Sequence, residues 1–198
     1  MSDRVSKVSI TNFKSGERRF VDEVDAHSDM LSERIIFALK TNKSISHEIE
    51  GDKYMIVPYN PTVRVLCLGI TAIAGHLQKF CSIVDYEFIP VAYNEIMNAE
   101  IDRYTAVCCM AHDPKFDDVL LEIALRTNCF YIGALGSKGY HEQRKDRLRE
   151  IGVSEESLTR IHSPIGLRIG SRGDQEIALS IISEIVKEFH ERSILNAD

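Results

Sequence analysis

The chain from Val63 to its end alternates short β-rich runs with amphipathic stretches of helical length. The β-rich runs are Val63–Leu68, Glu87–Ala92, Thr105–Met110 and Phe130–Leu135. The helical stretches are Ile73–Val84, Phe116–Arg126, Lys138–Ile151 and Asp174–Phe189. This alternation is typical of a mostly parallel sheet whose strands are joined by crossover helices. The sequence therefore predicts a doubly wound α/β fold, in which Pro90 weakens the second strand or places it at an edge.

The first 62 residues follow a different pattern. They predict a helix over Ser28–Lys40 and a strand over Tyr54–Val57, and the stretch Pro58–Pro61 that follows is the best candidate for a domain boundary. We therefore expect a small α+β appendage over residues 1–62 and the α/β domain over residues 63–198. The apolar stripe of the helix needs a surface to pack on, either the main domain or a second chain, so a homodimer is expected.

Charge and composition restrict the partners of this chain. It carries 24 Lys and Arg against 30 Asp and Glu, a formal net charge of −6, whereas binding a nucleic-acid backbone requires concentrated positive charge. No stretch approaches the ~20 apolar residues of a membrane span, and the amino terminus lacks a secretory signal. We expect a cytoplasmic protein with neither a nucleic-acid nor a membrane partner. The five cysteines have no Cys-x-x-Cys spacing and mostly lie in apolar runs, which predicts buried reduced thiols and no metal site.

Ligands of open parallel sheets bind at the carboxyl ends of the strands, so the loops after the predicted strands are the candidate sites. After the first run, Gly69–Ala74 takes the place of the Gly-x-Gly-x-x-Gly/Ala fingerprint of dinucleotide-binding proteins. Thr71 stands where the second glycine would let the backbone approach a pyrophosphate. The acidic residue expected after the second run is also missing. This loop favours a simple strand-to-helix turn over standard dinucleotide binding.

The loop after the third run contains His112 and Asp113. A His-Asp pair at the end of a strand supplies a proton carrier with a neighbouring charge, or polar contacts to a heterocyclic ligand. The alternative is that Asp113 and Pro114 only end the strand and start the next helix, with His112 as a solvated loop residue.

The fourth run leads through Gly133 and Gly136 into Ser137, a predicted helix N-cap, and Lys138 in the first helical turn. Free N–H groups, the positive end of the helix dipole and a lysine suit a phosphate or another oxyanion. The glycines alone are also compatible with turn geometry. The basic residues over 144–149 are typical of a solvated helix face.

A last segment, Ile161–Arg172, predicts a tight connector laid over the sheet edge into the final helix. It contains His162 and Gly166, and would bring them close to the carboxyl-end surface of the sheet.

Several blocks of sequence resemble one known family: Ala111–Pro114, Tyr131–Ser137, Arg160–His162, Pro164–Leu167 and Ile169–Gly170. In this order and spacing they resemble the C-terminal Rossmann-like domain of the XdhC/CoxI family. The resemblance implies a Rossmann-like fold and an accessory role. Members of the family bind the molybdenum cofactor (molybdopterin), support its sulfuration with a cysteine desulfurase, and insert it into molybdenum hydroxylases of the xanthine dehydrogenase type.

The chain also departs from the family pattern. Gly69–Ala72 replaces a Gly-Ala-Gly-His type of turn, Tyr93–Asn94 replaces acidic residues, and Arg168 stands where the family commonly has Asp. Residues 1–62 contain no cysteine, although many members carry a cysteine motif in an N-terminal domain. The sequence is therefore identified as a shortened, diverged member.

The leading hypothesis is an accessory protein that holds an anionic pterin at the carboxyl end of its sheet. The alternatives are an oxidoreductase dependent on NAD(P) or another nucleotide, and a ligand-free interaction scaffold. The predicted cofactor-binding residues, with no catalytic residue and no metal ligand, are Gly69, Thr71, His112, Asp113, Gly133, Gly136, Ser137, Lys138, His162 and Gly166.

Overall fold

The computed structural model describes residues 4–191, which divide between Pro61 and Thr62 into two compact units. The first unit is an antiparallel sheet with one helix packed on it. Its elements are β1 (Lys7–Asn12), β2 (Arg18–Asp22), α1 (Ser32–Thr41), β3 (Ile45–Ile49) and β4 (Asp52–Tyr59). The strand order in the sheet is β2-β1-β4-β3.

The core of the first unit lies between α1 and one face of this sheet. Ile35 and Leu39 of the helix pack with Val8, Ile10 and Ile56 of the central strands. The helix predicted from Ser28 begins only at Ser32, because residues 25–28 form a separate 3-10 turn. The predicted strand over 54–57 is the middle of β4, while β1, β2 and β3 were not predicted.

The second unit is built on a parallel sheet. Its strands are β5 (Arg64–Leu68), β6 (Glu87–Val91), β7 (Thr105–Cys109), β8 (Tyr131–Ala134) and β9 (Ile161–His162). The strand order is β6-β5-β7-β8-β9. Its helices are α2 (Ala72–Ile83), α3 (Pro114–Leu125), α4 (Lys138–Glu150), the short α5 (Glu155–Leu158) and α6 (Asp174–Glu191). This architecture confirms the predicted fold class. β6 lies at an edge, in line with Pro90, whereas β9 lies in the segment predicted as a connector.

Two apolar layers cover the faces of the parallel sheet. α2 and α6 pack with Cys67 and Cys108 on one face. α3 and α4 pack with Leu66, Val107 and Cys109 on the other. Strands covered on both faces are apolar at successive positions, which is why the sequence reads as continuous apolar runs here. None of the helices that the structure describes combines the length and the apolar composition of a membrane span.

Candidate functional site

The loops after β5, β7 and β8 lie side by side at the carboxyl edge of the parallel sheet, because these strands are direct neighbours. They carry seven of the ten predicted site residues. Gly69 and Thr71 follow β5, His112 and Asp113 follow β7, and residues 136–138 follow β8. Neighbouring parallel strands thus bring together residues that lie far apart in the sequence.

In the loop after β5, the backbone at Gly69 packs closely against the backbone that follows β7. Gly69 has a φ of +112°, and a Cβ there would lie 2.6 Å from the carbonyl carbon of Met110. Thr71 is the N-cap of α2: its hydroxyl accepts a hydrogen bond from the N–H of Ala74 at 3.1 Å. The Thr71 side chain therefore serves the helix start.

His112 adopts a left-handed backbone conformation, with a φ of +57°, although it is not a glycine. The conformation costs an L-residue about 1–2 kcal/mol, and such residues cluster at functional sites. The loop is held from both sides, because Asp117 Oδ1 accepts the N–H of Ala111 at 3.2 Å and α3 starts at Pro114. The imidazole of His112 is exposed at the edge of the sheet.

Asp113 is the N-cap of α3. Its side chain accepts the N–H of Lys115 at 3.0 Å, and its carbonyl accepts the N–H groups of Phe116 and Asp117. Pro114 has no N–H to offer. The start of α3 therefore has its donors satisfied and carries a carboxylate, so it does not suit an anion.

The start of α4, in contrast to that of α3, has features that suit an anion. Ser137 Oγ caps the N–H of Tyr140 at 3.3 Å, whereas the N–H groups of Lys138 and Gly139 have no hydrogen-bond partner in the described part of the chain. Gly136 has a φ of +141° and packs against the ring of Tyr140. The Lys138 side chain is exposed and borders a cavity of about 340 Å³. Unpaired N–H groups, a helix N-terminus and a lysine together favour an anion.

A buried ion pair, which the sequence did not predict, contacts the backbone segments that lead to these loops. Arg144 of α4 and Asp117 of α3 are 0% and 1% exposed, with Nη2 and Oδ2 4.0 Å apart. Arg144 also donates to Leu135 O at 2.9 Å and to Ser163 Oγ at 3.5 Å. Burial raises the pKa of Asp117. The arginine thus links the segments that follow β7, β8 and β9.

The interpretation of residues 144–149 as a solvated helix face was wrong for Arg144. The buried residues of α4 are His141, Arg144 and Leu148. Their spacing of three and four residues marks the inner face of a helix. That spacing is present in the sequence and could have indicated the buried face of α4. Only Leu148 of the three is apolar, however, so no apolar stripe marked this face.

Three further predicted residues pack against neighbouring elements. Gly133 touches Ile165, which a Cβ would approach to 2.5 Å. The Gly166 N–H donates to Glu184 Oε2 at 2.8 Å, and His162 Nδ1 lies 3.4 Å from Glu184 Oε1. Tyr131 also donates to Glu184 Oε2 at 2.5 Å. Glu184 of α6 thus fixes the segment after β9, and these contacts give the three residues a packing role.

The electrostatics of Glu184 follow from these bonds. Burial would raise the pKa of Glu184, but the hydrogen bonds from His162, Tyr131 and Gly166 stabilise the carboxylate and bring the pKa below its usual value.

The five cysteines are free and buried, as predicted. Burial raises the pKa of Cys67 and of Cys81 to about 12, and it raises the pKa values of Cys108 and Cys109 well above the ordinary value of a thiol. Within residues 4–191, no group of three or more His, Cys, Asp or Glu side chains is arranged to hold a metal ion.

Comparisons with known proteins agree on one family. Residues 65–185 match the family model described as the XdhC Rossmann domain. The chain is 32% identical over 130 residues to the molybdenum cofactor insertion chaperone PaoD of Escherichia coli (strain K12), covering 65% of this chain and 41% of PaoD. It is 29% identical over 98 residues to a probable xanthine dehydrogenase subunit of Bacillus subtilis (strain 168), covering 48% of this chain and 28% of that protein.

A solved structure shares the fold. The crystal structure described as a xanthine dehydrogenase from Bacillus halodurans aligns with a TM-score of 0.57 at 16% identity, covering 99% of this chain and 93% of that chain. At this identity the likeness concerns the fold alone. The chain spans about two fifths of PaoD and less of the Bacillus subtilis protein.

Proposed function

The chain belongs to the XdhC family, in agreement with the motifs of its sequence, and we propose that it is an accessory protein. In this proposal it binds the molybdenum cofactor as cargo and delivers it to a molybdenum hydroxylase of the xanthine dehydrogenase type. Its similarity to a protein named as a molybdenum cofactor insertion chaperone supports the cargo. Its similarity to a probable xanthine dehydrogenase subunit supports the class of recipient.

The observation that carries this proposal is the start of α4 beside the His112 loop. Molybdopterin is a pterin with a phosphate group, and the unpaired N–H groups of Lys138 and Gly139 suit that phosphate. The exposed imidazole of His112 is available to the polar head of the ligand, with Asp113 next to it. Gly136 and Ser137 shape the turn that leaves these N–H groups free.

Sulfuration of the cargo would need a sulfur donor from another protein. A persulfide carrier requires an accessible thiol with appreciable thiolate character, and all five thiols of this chain are buried. We therefore infer a cysteine desulfurase as partner, with this chain presenting the cofactor. The open edge of the sheet leaves the loops after β5, β7 and β8 accessible for handover between proteins.

The proposal is tested by the ligand that the protein retains. The protein is purified without oxygen, oxidised with acid and iodine, and the released pterin is measured by fluorescence, with mass spectrometry for nucleotides in the same extract. We expect near-stoichiometric pterin, a strong reduction in Lys138→Asp, and wild-type content in Lys79→Asp, which changes an exposed lysine of α2.

A different ligand content of the extract would indicate one of the alternative functions. A nicotinamide nucleotide in place of pterin would indicate an oxidoreductase. An empty extract that takes up neither ligand on incubation would indicate an interaction scaffold. Light scattering on the same sample tests the proposed homodimer, which a single monomeric species at micromolar concentration would contradict.

A further inference from the structure

A cavity of about 340 Å³ opens beside the first turns of α4. Lys138, His141 and Lys145 line it from α4, and Thr159 and Ser163 line it from the segment around β9. Its volume falls at the lower end of the range for small-molecule sites, which is about 300–1,000 Å³.

His141 is the unusual residue of this cavity. The residue is 7% exposed, and its Nδ1 atom has no hydrogen-bond partner among the described residues. A buried polar group without a partner costs about 1–3 kcal/mol, so such an atom in a native fold calls for an explanation. Burial, Lys145 and Arg144 lower the pKa of His141. The imidazole is therefore a polar group whose surroundings are already positive.

The charges around the cavity favour an anion. Lys138 and Lys145 contribute two positive charges, and the amino terminus of α4 adds the positive end of its dipole. Glu142 is the one carboxylate among the lining residues, and it lies 3.2 Å from Lys145 Nζ. Glu142 therefore competes with an anionic ligand for the same ammonium group. Ser163 Oγ accepts from Arg144, which leaves its hydroxyl hydrogen available to a ligand.

We propose that this cavity is a subsite for a tetrahedral oxyanion of the phosphate type, held by Lys138, His141 and Lys145. The inference rests on the proposed function in one respect, because the phosphate of the bound pterin is one source of the oxyanion and free inorganic phosphate is the other. The subsite extends the binding surface from the N–H groups of the helix start to the β9 side of α4.

Inorganic phosphate is the probe for the first experiment, on the full chain freed of bound pterin. Its binding is followed by calorimetry and by the imidazole ¹H–¹³C signal of His141, which His141→Gln assigns. We expect a saturable shift of that signal. Lys138→Met and Lys145→Met should each weaken phosphate binding about tenfold, because each loses one charge-assisted contact.

Two further variants distinguish a specific phosphate site from general electrostatic attraction of phosphate to the protein. Glu142→Gln removes the competing carboxylate and should tighten phosphate binding, whereas Lys79→Met, on α2, should leave it unchanged. An unperturbed His141 signal at saturating phosphate would overturn the subsite. So would equal weakening in Lys79→Met and Lys145→Met.

The subsite and the proposed function fail in different ways. Wild-type protein that carries pterin as purified but, once freed of pterin, binds no phosphate at His141 contradicts the subsite alone. Protein that binds phosphate with the expected variant pattern but never carries pterin keeps the subsite and removes the proposed function. Displacement of bound pterin by inorganic phosphate identifies the pterin phosphate as the source, and simultaneous binding identifies free phosphate, with the subsite supported in both cases.

Discussion

Arg144 and Asp117 face each other inside the α/β unit, with Arg144 Nη2 4.0 Å from Asp117 Oδ2. The same Nη2 atom donates to Leu135 O, and the other oxygen of Asp117 accepts the N–H of Ala111. One buried pair therefore holds the two backbone segments that lead to His112 and to Lys138. The relative position of these two site loops depends on a contact beneath them.

Arg144→Met should lower the free energy of unfolding by about 3–5 kcal/mol, since it leaves the buried carboxylate of Asp117 without its counter-charge. Urea unfolding near neutral pH measures this loss. Arg147→Met is the matched control, because Arg147 lies on the same helix as Arg144 and forms a partly exposed ion pair with Asp118 of α3. Its removal should cost about 1 kcal/mol. Similar losses in the two variants would contradict a special role for Arg144.

The sequence predicted the parallel sheet better than the antiparallel one. Each strand from β5 to β8 is an apolar run, and its period differs clearly from that of the helices between them. β9 has only two residues, Ile161 and His162, too few to show a pattern. In the first unit, β3 (Ile45–Ile49) alternates partly buried and exposed residues, so it has little apolar signal of its own.

The arrangement of the candidate loops was predictable where a general rule of topology applies. Carboxyl ends of neighbouring parallel strands meet at one edge, which places His112 close to the start of α4 in the fold. The contact between Arg144 and Asp117 follows no spacing rule, since the residues lie on different helices. Charged side chains are also seldom fully buried, so composition argued for a solvated position. Long-range polar contacts of this kind require the structure.

His112→Gly should distinguish the contribution of the backbone conformation at this position from the contribution of the imidazole. Glycine adopts the φ of +57° without the cost to an L-residue, so the free energy of unfolding should stay within about 1 kcal/mol of wild type. Pterin content should fall if the imidazole contacts the ligand. Asp85→Gly is the control, because Asp85 has the same φ in the turn between α2 and β6. A strong loss of stability in His112→Gly alone would indicate a structural imidazole.

Two glycines near the start of α2 should respond to alanine in opposite ways. At Gly69 a Cβ would meet the backbone of Met110 at 2.6 Å, and overpacking of this kind costs about 1–3 kcal/mol. At Gly75 a Cβ meets nothing within 4 Å, and alanine should stabilise the helix by about 0.5–1 kcal/mol. Thermal unfolding of Gly69→Ala and Gly75→Ala measures both. A neutral Gly69→Ala would contradict the close approach of the β5 and β7 ends.

The cysteines should be unreactive in the native protein. The thiolate is the nucleophile, and burial raises the pKa of Cys67 and of Cys81 to about 12. A colorimetric disulfide reagent should therefore find no fast thiol in native protein at mildly alkaline pH, and all five after unfolding. One thiol that reacts rapidly in the native state would reopen a sulfur-carrying role for this chain.

Glu184 should make stability depend on acid pH. Its pKa in the folded protein is lowered below the ordinary value of 4.5, so the folded state favours the carboxylate. The stabilisation is complete above the unfolded pKa and is lost as the pH falls through the folded one. Glu184→Gln should cost roughly 1–2 kcal/mol near neutral pH, and its difference from wild type should shrink as the pH drops below 4.5. Urea unfolding over this pH range tests it, with the exposed Glu150→Gln as control. A difference that does not vary with pH would mean that Glu184 stabilises the β9–α6 segment through packing, independently of its charge.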